Sequence, residues 1–343
     1  MLLAGDVGGT KTLLGLFAPE AERPTAIEVG EFITLDYDGL HQMIREFLGA
    51  WKIDPRTIAA TSIGVAGAVT DQVARLTNVP WLVDMDAIAS GLGLRHAVLI
   101  NDLEALAFAV PLLEPGELAI LQHGIAVPGG NAAVIAAGTG LGISMLHEVE
   151  GRWAPMTSEG GHGDFAARTA RELELVRDLT RAFGRVGVEH VISGPGLVNI
   201  YQFTHQAFGT GPMLTPNTLM PSRLCGGVGQ SRTPNELPGQ IYEAARQRRC
   251  PMCVEALEMF VSAYGSETGN LALRAFATAG VYVGGGIAPK ILPALQTGAF
   301  VEAFKTKPPM TDILATIPLA VILNPDAGLT GAAVRAMELS TAR

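Results

Sequence analysis

Two short stretches of this sequence carry residue types suited to holding a phosphate. The first is Gly5-Asp6-Val7-Gly8-Gly9-Thr10-Lys11-Thr12, flanked by apolar runs at Met1–Ala4 and Leu13–Phe17. The pattern predicts a strand, a tight turn and a second strand. Gly8 and Gly9 open backbone angles closed to other residues and let the main chain approach a ligand. Successive N–H groups in such a turn form an anion-binding concavity. Asp6, at the mouth of the turn, is placed to hold a divalent cation, directly or through water. Alone, a Gly-Gly turn is most often an ordinary hairpin. Here the plan recurs: residues 132–146 read as apolar strand, Gly138-Thr139-Gly140-Leu141-Gly142, apolar strand. The repeat points to two similar lobes, each offering a Gly-Thr hairpin to one ligand. Neither segment is a Walker loop, which needs G-x-x-x-x-G-K-[ST] opening a helix. Neither is a dinucleotide fingerprint, whose glycines lie between a strand and a helix.

A candidate base lies at the end of another strand. His96–Ile100 reads as strand and runs into Asn101-Asp102, and open α/β sheets bind ligands beyond the carboxyl ends of their strands. Asp102 also suits a helix N-cap; one residue can serve both ends. Further on, Ser158-Glu159-Gly160-Gly161-His162-Gly163-Asp164-Phe165 places two acids and a histidine in a glycine-rich loop. This is a solvated turn, a metal site lacking a partner histidine at zinc spacing, or a polyol site. In the last case carboxylates accept from hydroxyls and the imidazole donates or accepts. Gly284-Gly285-Gly286 follows an apolar strand and would let a flat ring lie on the backbone. Cys250-Pro251-Met252-Cys253 is a C-x-x-C with Cys225 the only other cysteine. Zinc needs more ligands than that, and a thioredoxin-like context is missing.

The elements that must position these groups follow from periodicity. Strands are expected near Ile27–Leu35, Ile58–Val65, Leu118–Gln122 and Ala320–Leu323. Leu40, Met43, Ile44, Phe47 and Leu48 mark an amphipathic helix over Leu40–Trp51. Further helices are expected at Asp84–Leu92 with Asp84 as cap, Leu103–Val110, Glu172–Gly184, Leu197–Phe203, Val254–Phe276 and Asp326–Leu339. Glu189 precedes an expected strand-turn at Val191–Gly196, and Thr77–Trp81 reads as a polar loop. Residues 209–239, rich in Gly, Pro, Ser and Asn, read as a long irregular excursion.

At 343 residues the chain is long for one core, so two domains are expected. With 48% apolar and only 17% charged residues, widespread disorder is excluded. A net charge of −9 disfavours a nucleic-acid binder, without forbidding a nucleotide held by a local nest and a metal. Met1–Ala4 is too short for a signal segment, and no apolar run approaches a membrane span. Three cysteines suggest a reducing compartment. The expectation is a cytoplasmic protein with no membrane and no nucleic-acid partner.

The order of motifs resembles the sugar kinase, Hsp70 and actin superfamily. Its five marks look like GDVGGTKT (5–12), NDLEALAFAV (101–110), AAGTGLGIS (136–144), VYVGGGIAP (281–289) and DAGLTGAAVRAM (326–337). LINDLEA, SEGGHGDF, EHVISGPGLVNIY and GNLALRAF together are similar to the bacterial ATP-dependent glucokinase family, over nearly the full length. The resemblance implies an α/β, two-lobed ribonuclease H-like (actin-like ATPase) fold. Each lobe would be a mixed sheet with flanking helices, with a cleft between them that closes on glucose. The lobe limits are expected at 1–110 plus 326–343 and 111–325, with Pro111–Gly116 as the break.

The same resemblance implies phosphorylation of D-glucose to glucose 6-phosphate, with ATP and Mg2+. Asp102 would be the base, and Asn101, Glu159, His162 and Glu189 would hold the other hydroxyls. Gly5, Asp6, Val7, Gly8, Gly9, Thr10, Gly138 and Thr139 would contact the phosphates. Asp6 would lie near magnesium through water, and Gly284, Gly285 and Gly286 would face the adenosine. A homodimer is implied by the family habit. Lys11 departs from the Asn of many relatives, and the zinc-cysteine motif of the repressor–kinase branch is absent. Three alternatives stand beside this: a sugar-responsive regulator, a kinase for another sugar, and a polyphosphate donor. The regulator would need a DNA-binding segment before Gly5 and a basic patch, and a polyphosphate donor would need a basic tract.

Overall fold

Leu2–Val7 (β1) and Lys11–Ala18 (β2) form the antiparallel hairpin expected around the first glycine turn, with Val7 paired to Thr12. The computed structural model describes residues 1–20, 23–76, 79–150, 152–206, 225, 228 and 236–341. Thr77, Asn78 and most of the 209–239 excursion lie outside the described residues. Thr25–Ile33 (β3) adds to β2, and Ala60–Val65 (β4) runs parallel to β1. Val69–Thr70 (β5), Val73–Arg75 (β6) and Leu82–Asp84 (β7) make a small antiparallel sheet that sequence periodicity does not reveal. Ala97–Asn101 (β8) then joins β4 in parallel, completing the order β3-β2-β1-β4-β8.

Alternation along β1 and β2 supplies both faces of this sheet. Leu3, Val7, Leu14 and Leu16 pack with Leu40–Ala50 (α1) through Leu40, Met43, Ile44, Phe47 and Leu48. Met85 of Met85–Leu92 (α2) joins that core, with Asp84 capping the helix through Ala87 N at 2.9 Å. Leu2, Ala4, Leu13 and Phe17 face the other way, with Ala105 and Phe108 of Asp102–Ala109 (α3) and Leu329, Ala332 and Ala333 near the C-terminus.

The second sheet has the order β12-β11-β10-β13-β14-β9, where β9 is Leu118–Gln122, β10 Ala132–Ala137, β11 Leu141–Val149, β12 Arg152–Ser158, β13 Gly280–Gly284 and β14 Leu319–Ile322. Apart from β9, it repeats the order of the first sheet: β10 stands for β1, β11 for β2, β12 for β3, β13 for β4 and β14 for β8. Its helices are Ala170–Phe183 (α4), Gly194–Thr204 (α5), Leu237–Arg246 (α6), Pro251–Ala275 (α7), Leu292–Leu295 (α8), Ala299–Lys305 (α9) and Thr311–Thr316 (α10). Ala327–Thr341 (α11) ends the described chain. In α7, Gly265 and Gly269 lie against the carbonyl oxygens of Phe300 and Phe304, where a Cβ has no room. These two glycines admit α9 rather than weaken the helix.

The chain divides into one unit of Met1–Leu118, Ser144–Thr157 and Asn324–Arg343, and a second of Ala119–Ile143 and Ser158–Leu323. The first break thus falls at Leu118, not at Val110. Arg23 donates to both oxygens of Glu117, at 2.9 and 2.8 Å, and Asn324 Nδ2 donates to Glu117 at 2.6 Å. Those bonds hold the proline-rich stretch to the first unit. The strand expected at Val191 is absent: Val188–His190 is a 3₁₀ turn leading to α5. No helix is long and apolar enough to cross a membrane, among the described residues.

Candidate active site

In the first unit the turn between β1 and β2 is closed by Gly8 N donating to Lys11 O at 3.0 Å. A Cβ on Gly8 would stand 2.9 Å from that same oxygen. The glycine is therefore required by close approach. Gly8 and Gly9 are not among the glycines with positive φ, which corrects the expectation of special backbone angles. A residue missed in the sequence holds the turn from below. Thr34 N donates to Thr10 O at 3.0 Å, and Thr34 Oγ1 donates to Gly8 O at 2.9 Å and meets Thr12 Oγ1 at 2.9 Å. Lys11 points its ammonium to Glu31, 2.7 Å away. Gly5 and Val7 lie on β1, paired with Leu14 and Thr12.

Asp6 is partly buried at the end of β1. Burial, and then the neighbouring Asp326 carboxylate, push its pKa up to about 6, with Lys11 acting the other way. Gly328, in the first turn of α11, leaves room for it, since a Cβ there would lie 2.7 Å from Asp6 Oδ2. Two carboxylates crowding one another at a helix N-terminus make a donor set that fits a divalent cation.

Asp102 stands where expected, at the carboxyl end of β8, but it does not cap the helix. Asn101 is the cap: its Oδ1 accepts from Leu103 N at 2.9 Å, and its Nδ2 donates to Gly67 O at 3.0 Å. Asp102 is the first helical residue, and its Oδ1 also accepts from Leu103 N, at 2.8 Å. Gly64 lets α3 lie close on β4, for a Cβ there would sit 3.0 Å from the Ala105 Cβ. Gly331 of α11 lies against the Ala105 carbonyl of α3 and has no room for a Cβ. Asn101 thus spends one donor and one acceptor on fixing the backbone beside Asp102.

In the second unit the other Gly-Thr turn is closed by Gly138 N to Gly140 O at 2.9 Å. Gly194 N, opening α5, donates to Gly138 O at 2.8 Å. Ala137 N donates to Tyr264 of α7 at 3.2 Å, so two helices brace the end of β10. Gly285 has φ +82°, and a Cβ on it would be 2.5 Å from Ala137 O. Ile287 N donates to that oxygen at 3.2 Å. The Gly284–Gly286 turn therefore leans on the strand that carries Gly138 and Thr139.

Glu159, His162 and Glu189 are brought together. His162 Nδ1 is 3.2 Å from Glu189 Oε1, and its Nε2 is 3.7 Å from Glu159 Oε2. Val188 N donates to Gly163 O at 2.8 Å and Phe165 N to Val186 O at 3.0 Å, which zips the two loops. Arg185 fastens them further, reaching His162 O at 2.9 Å and Asp164 at 2.8 Å. Gly161 lies against Leu141 O where no side chain fits, and a Cβ on Gly140 would be 3.1 Å from Glu189 Oε2. The acid–imidazole–acid group thus lies beside the second Gly-Thr turn.

A protein-family model described as Glucokinase matches residues 3–339. The chain belongs to the glucokinase family. The glucokinase of Synechocystis sp. is 35% identical over 347 aligned positions, covering 98% of this chain and 98% of that protein. The crystal structure of a glucokinase from an Antarctic psychrotroph superposes with a TM-score of 0.81 at 27% identity, covering 98% of each chain. A ROK family glucokinase from Streptomyces griseus, solved with glucose and AMPPNP, shares the fold at a TM-score of 0.63 and 23% identity, over 98% of this chain and 99% of that one. The fold is that of the actin-like sugar kinases, as the strand order repeated in the two sheets already indicated.

Proposed function

We propose that this chain transfers a phosphoryl group from ATP to the 6-hydroxyl of D-glucose, giving glucose 6-phosphate. The observation that carries the reading is full-length kinship with glucokinases at 35% identity. The position of Asp102 supports it. The residue opens α3 at the end of a strand, where open α/β sheets bind their ligands. Asp102 accepts the proton of the 6-hydroxyl as that oxygen bonds to phosphorus. Asn101 holds the peptide from which Asp102 projects.

Glu159, His162 and Glu189 take the other hydroxyls. Both carboxylates face the imidazole, at 3.2 and 3.7 Å, and keep lone pairs for donors on the sugar. A misplaced hydroxyl would leave these groups unpaired, which is the physical basis for choosing one hexose over its epimer. The N–H groups of Gly8, Gly9 and Thr10, and of Gly138 and Thr139, receive the phosphates, with Gly5 and Val7 shaping the first turn. Gly284, Gly285 and Gly286 face the adenosine. When bound, magnesium neutralises phosphate charge, and Asp6 would hold it through water. The chain acts as a homodimer in the cytoplasm on this reading, which rests on the family resemblance.

The test is ADP release by purified protein with ATP and magnesium across glucose, mannose, fructose, glucosamine and N-acetylglucosamine, with product identification and sedimentation of the same sample. Glucose-dependent release yielding glucose 6-phosphate is the expected result. Turnover of another sugar alone would reassign the pocket, and glucose binding without turnover would replace the enzyme by a sensor.

A further inference from the structure

The three cysteines are not scattered. His205, Cys225, Cys250 and Cys253 converge so that one donor atom from each lies within 4.8 Å of every other. Cys225 Sγ and Cys253 Sγ are 3.6 Å apart, and Cys250 Sγ is 3.4 Å from His205 Nε2. A tetrahedral zinc with bonds of about 2.3 Å to sulfur and 2.0–2.1 Å to nitrogen separates two sulfurs by about 3.8 Å and a sulfur from a nitrogen by about 3.5 Å. We infer that these four residues bind one zinc ion.

The surroundings agree with a ligand set. His205 Nδ1 lies 2.7 Å from Tyr201 O, an atom that only accepts, so Nδ1 carries the proton and Nε2 turns its lone pair toward the sulfurs. Cys250 is the N-cap of α7 and Cys253 lies in its first turn, so the helix start fixes both sulfurs relative to each other. Both are buried, and Cys225 is partly so. A Cys225–Cys253 disulfide would need the sulfurs at about 2.0 Å, and it would leave Cys250 and His205 facing each other without a purpose. Three sulfurs and one imidazole suit zinc, with its tetrahedral preference, over harder cations. The C-x-x-C motif supplies half of the set. His205 lies 45 residues before Cys250, at no recognisable spacing, and only the fold delivers it.

The ion would have a structural task. His205 closes α5, whose first residue, Gly194, bonds the carbonyl of Gly138. Cys250 and Cys253 open α7, whose Tyr264 accepts from Ala137 N. Zinc would join the far ends of the two helices that brace the second Gly-Thr turn.

The test is metal analysis of the wild-type protein purified without chelators, with X-ray absorption at the zinc edge. One zinc per chain, with a shell of three sulfurs and one nitrogen, is expected. C225S and H205Q should each lose the ion. Chelation of the wild type should lower its melting temperature by several degrees, and added zinc should restore it. These readouts are independent of any turnover, so they stand apart from the sugar-kinase reading. A wild-type protein that takes up no zinc when it is supplied, or whose mass shows two thiols missing through a disulfide, would overturn the inference. If C225S and H205Q fail to fold, zinc titration of the chelated wild type with the cobalt-substituted absorption spectrum decides alone. Tetrahedral thiolate bands support the site, and their absence refutes it.

Discussion

Thr34→Val isolates what holds the first phosphate turn. Valine keeps the β-branched shape and removes one hydroxyl. The bonding is directional. The single Thr34 proton goes to Gly8 O at 2.9 Å, so the Thr12 hydroxyl must donate to Thr34 Oγ1, also at 2.9 Å. Both threonines are fully buried. The substitution leaves a buried hydroxyl with no acceptor and the Gly8 carbonyl short of a donor. Each costs about 1–3 kcal/mol, so about 3 kcal/mol is expected, or a fall in Tm of roughly 6–12 °C for a domain of this size. Thr12→Val in the Thr34→Val background removes the stranded donor and should return about 1 kcal/mol, a coupling that a double-mutant cycle reads. Because the lost hydroxyl pins the Gly8 carbonyl in that turn, KM for ATP should rise about tenfold, equivalent to about 1.4 kcal/mol, while KM for glucose stays put. Denaturant unfolding and steady-state kinetics with each substrate varied supply the numbers. Stability within 0.5 kcal/mol of wild type, roughly the spread of neutral surface changes, would show that the turn stands without Thr34. Equal rises in both KM values would mean general loosening instead.

Asp102→Ala should lower kcat by about 10²–10⁴-fold, the usual worth of a general base. Glucose binding, read by calorimetry, should persist; near-normal kcat removes Asp102 from that role. Glu117→Gln tests the clasp behind the proline-rich stretch. The Arg23 guanidinium, bonded to both oxygens, holds the Glu117 carboxyl down at about 2 instead of 4.5. A depressed carboxyl stabilises the fold above its unfolded pKa and loses that contribution as pH falls from 4.5 through 2. The shift corresponds to about 3 kcal/mol at most, and partial exposure of Arg23 brings it to about 1–3 kcal/mol. The wild-type advantage in urea should therefore shrink to under half between pH 7 and pH 3, and an equal gap at both would refute the clasp. Gly285→Ala meets both a left-handed φ of +82° and the Ala137 carbonyl. It should cost about 2–4 kcal/mol and weaken ATP binding with little effect on glucose. Unchanged melting would show that the turn can move.

The sequence revealed most where period and chemistry coincide. α1 announces itself through Leu40, Met43, Ile44, Phe47 and Leu48, all buried as the spacing requires. Asp84 caps α2 as its type predicts. The same rule misled one residue later in kind: Asp102 looks like a cap, yet Asn101 takes the bond because its amide also reaches Gly67 across the sheet. Long-range partners explain the other misses. Thr34 reads as an anonymous residue near the end of the strand expected at Ile27–Leu35, and its value comes from the Gly8 carbonyl 26 positions away. His205 has the same character. Gly265 and Gly269 look like weaknesses in α7 until Phe300 and Phe304 arrive.

The repeated sheet order explains how one architecture yields two unlike turns. Each fifth strand leads into an Asn whose Oδ1 accepts from the backbone two residues on: Asn101 from Leu103 N at 2.9 Å, and Asn324 from Asp326 N at 2.8 Å. Each Asn is followed closely by an acid at a helix start, Asp102 as the first residue of α3 and Asp326 just before α11. The difference lies in the first strands. β1 carries Asp6 one residue before its end, where β10 carries Ala136. In the first unit, therefore, an acid on the strand meets an acid at a helix start, and burial first, then the Asp326 carboxylate, lift Asp6 to about 6, so a cation placed there would favour the charged form of both. The second turn has backbone N–H groups and the Thr139 hydroxyl, with Glu189 beside Gly140, and its leading strand carries no acid at the position of Asp6. One acid, present in β1 and absent from β10, is thus the difference between the two hairpins on which the proposed assignment of the cation to the first turn rests.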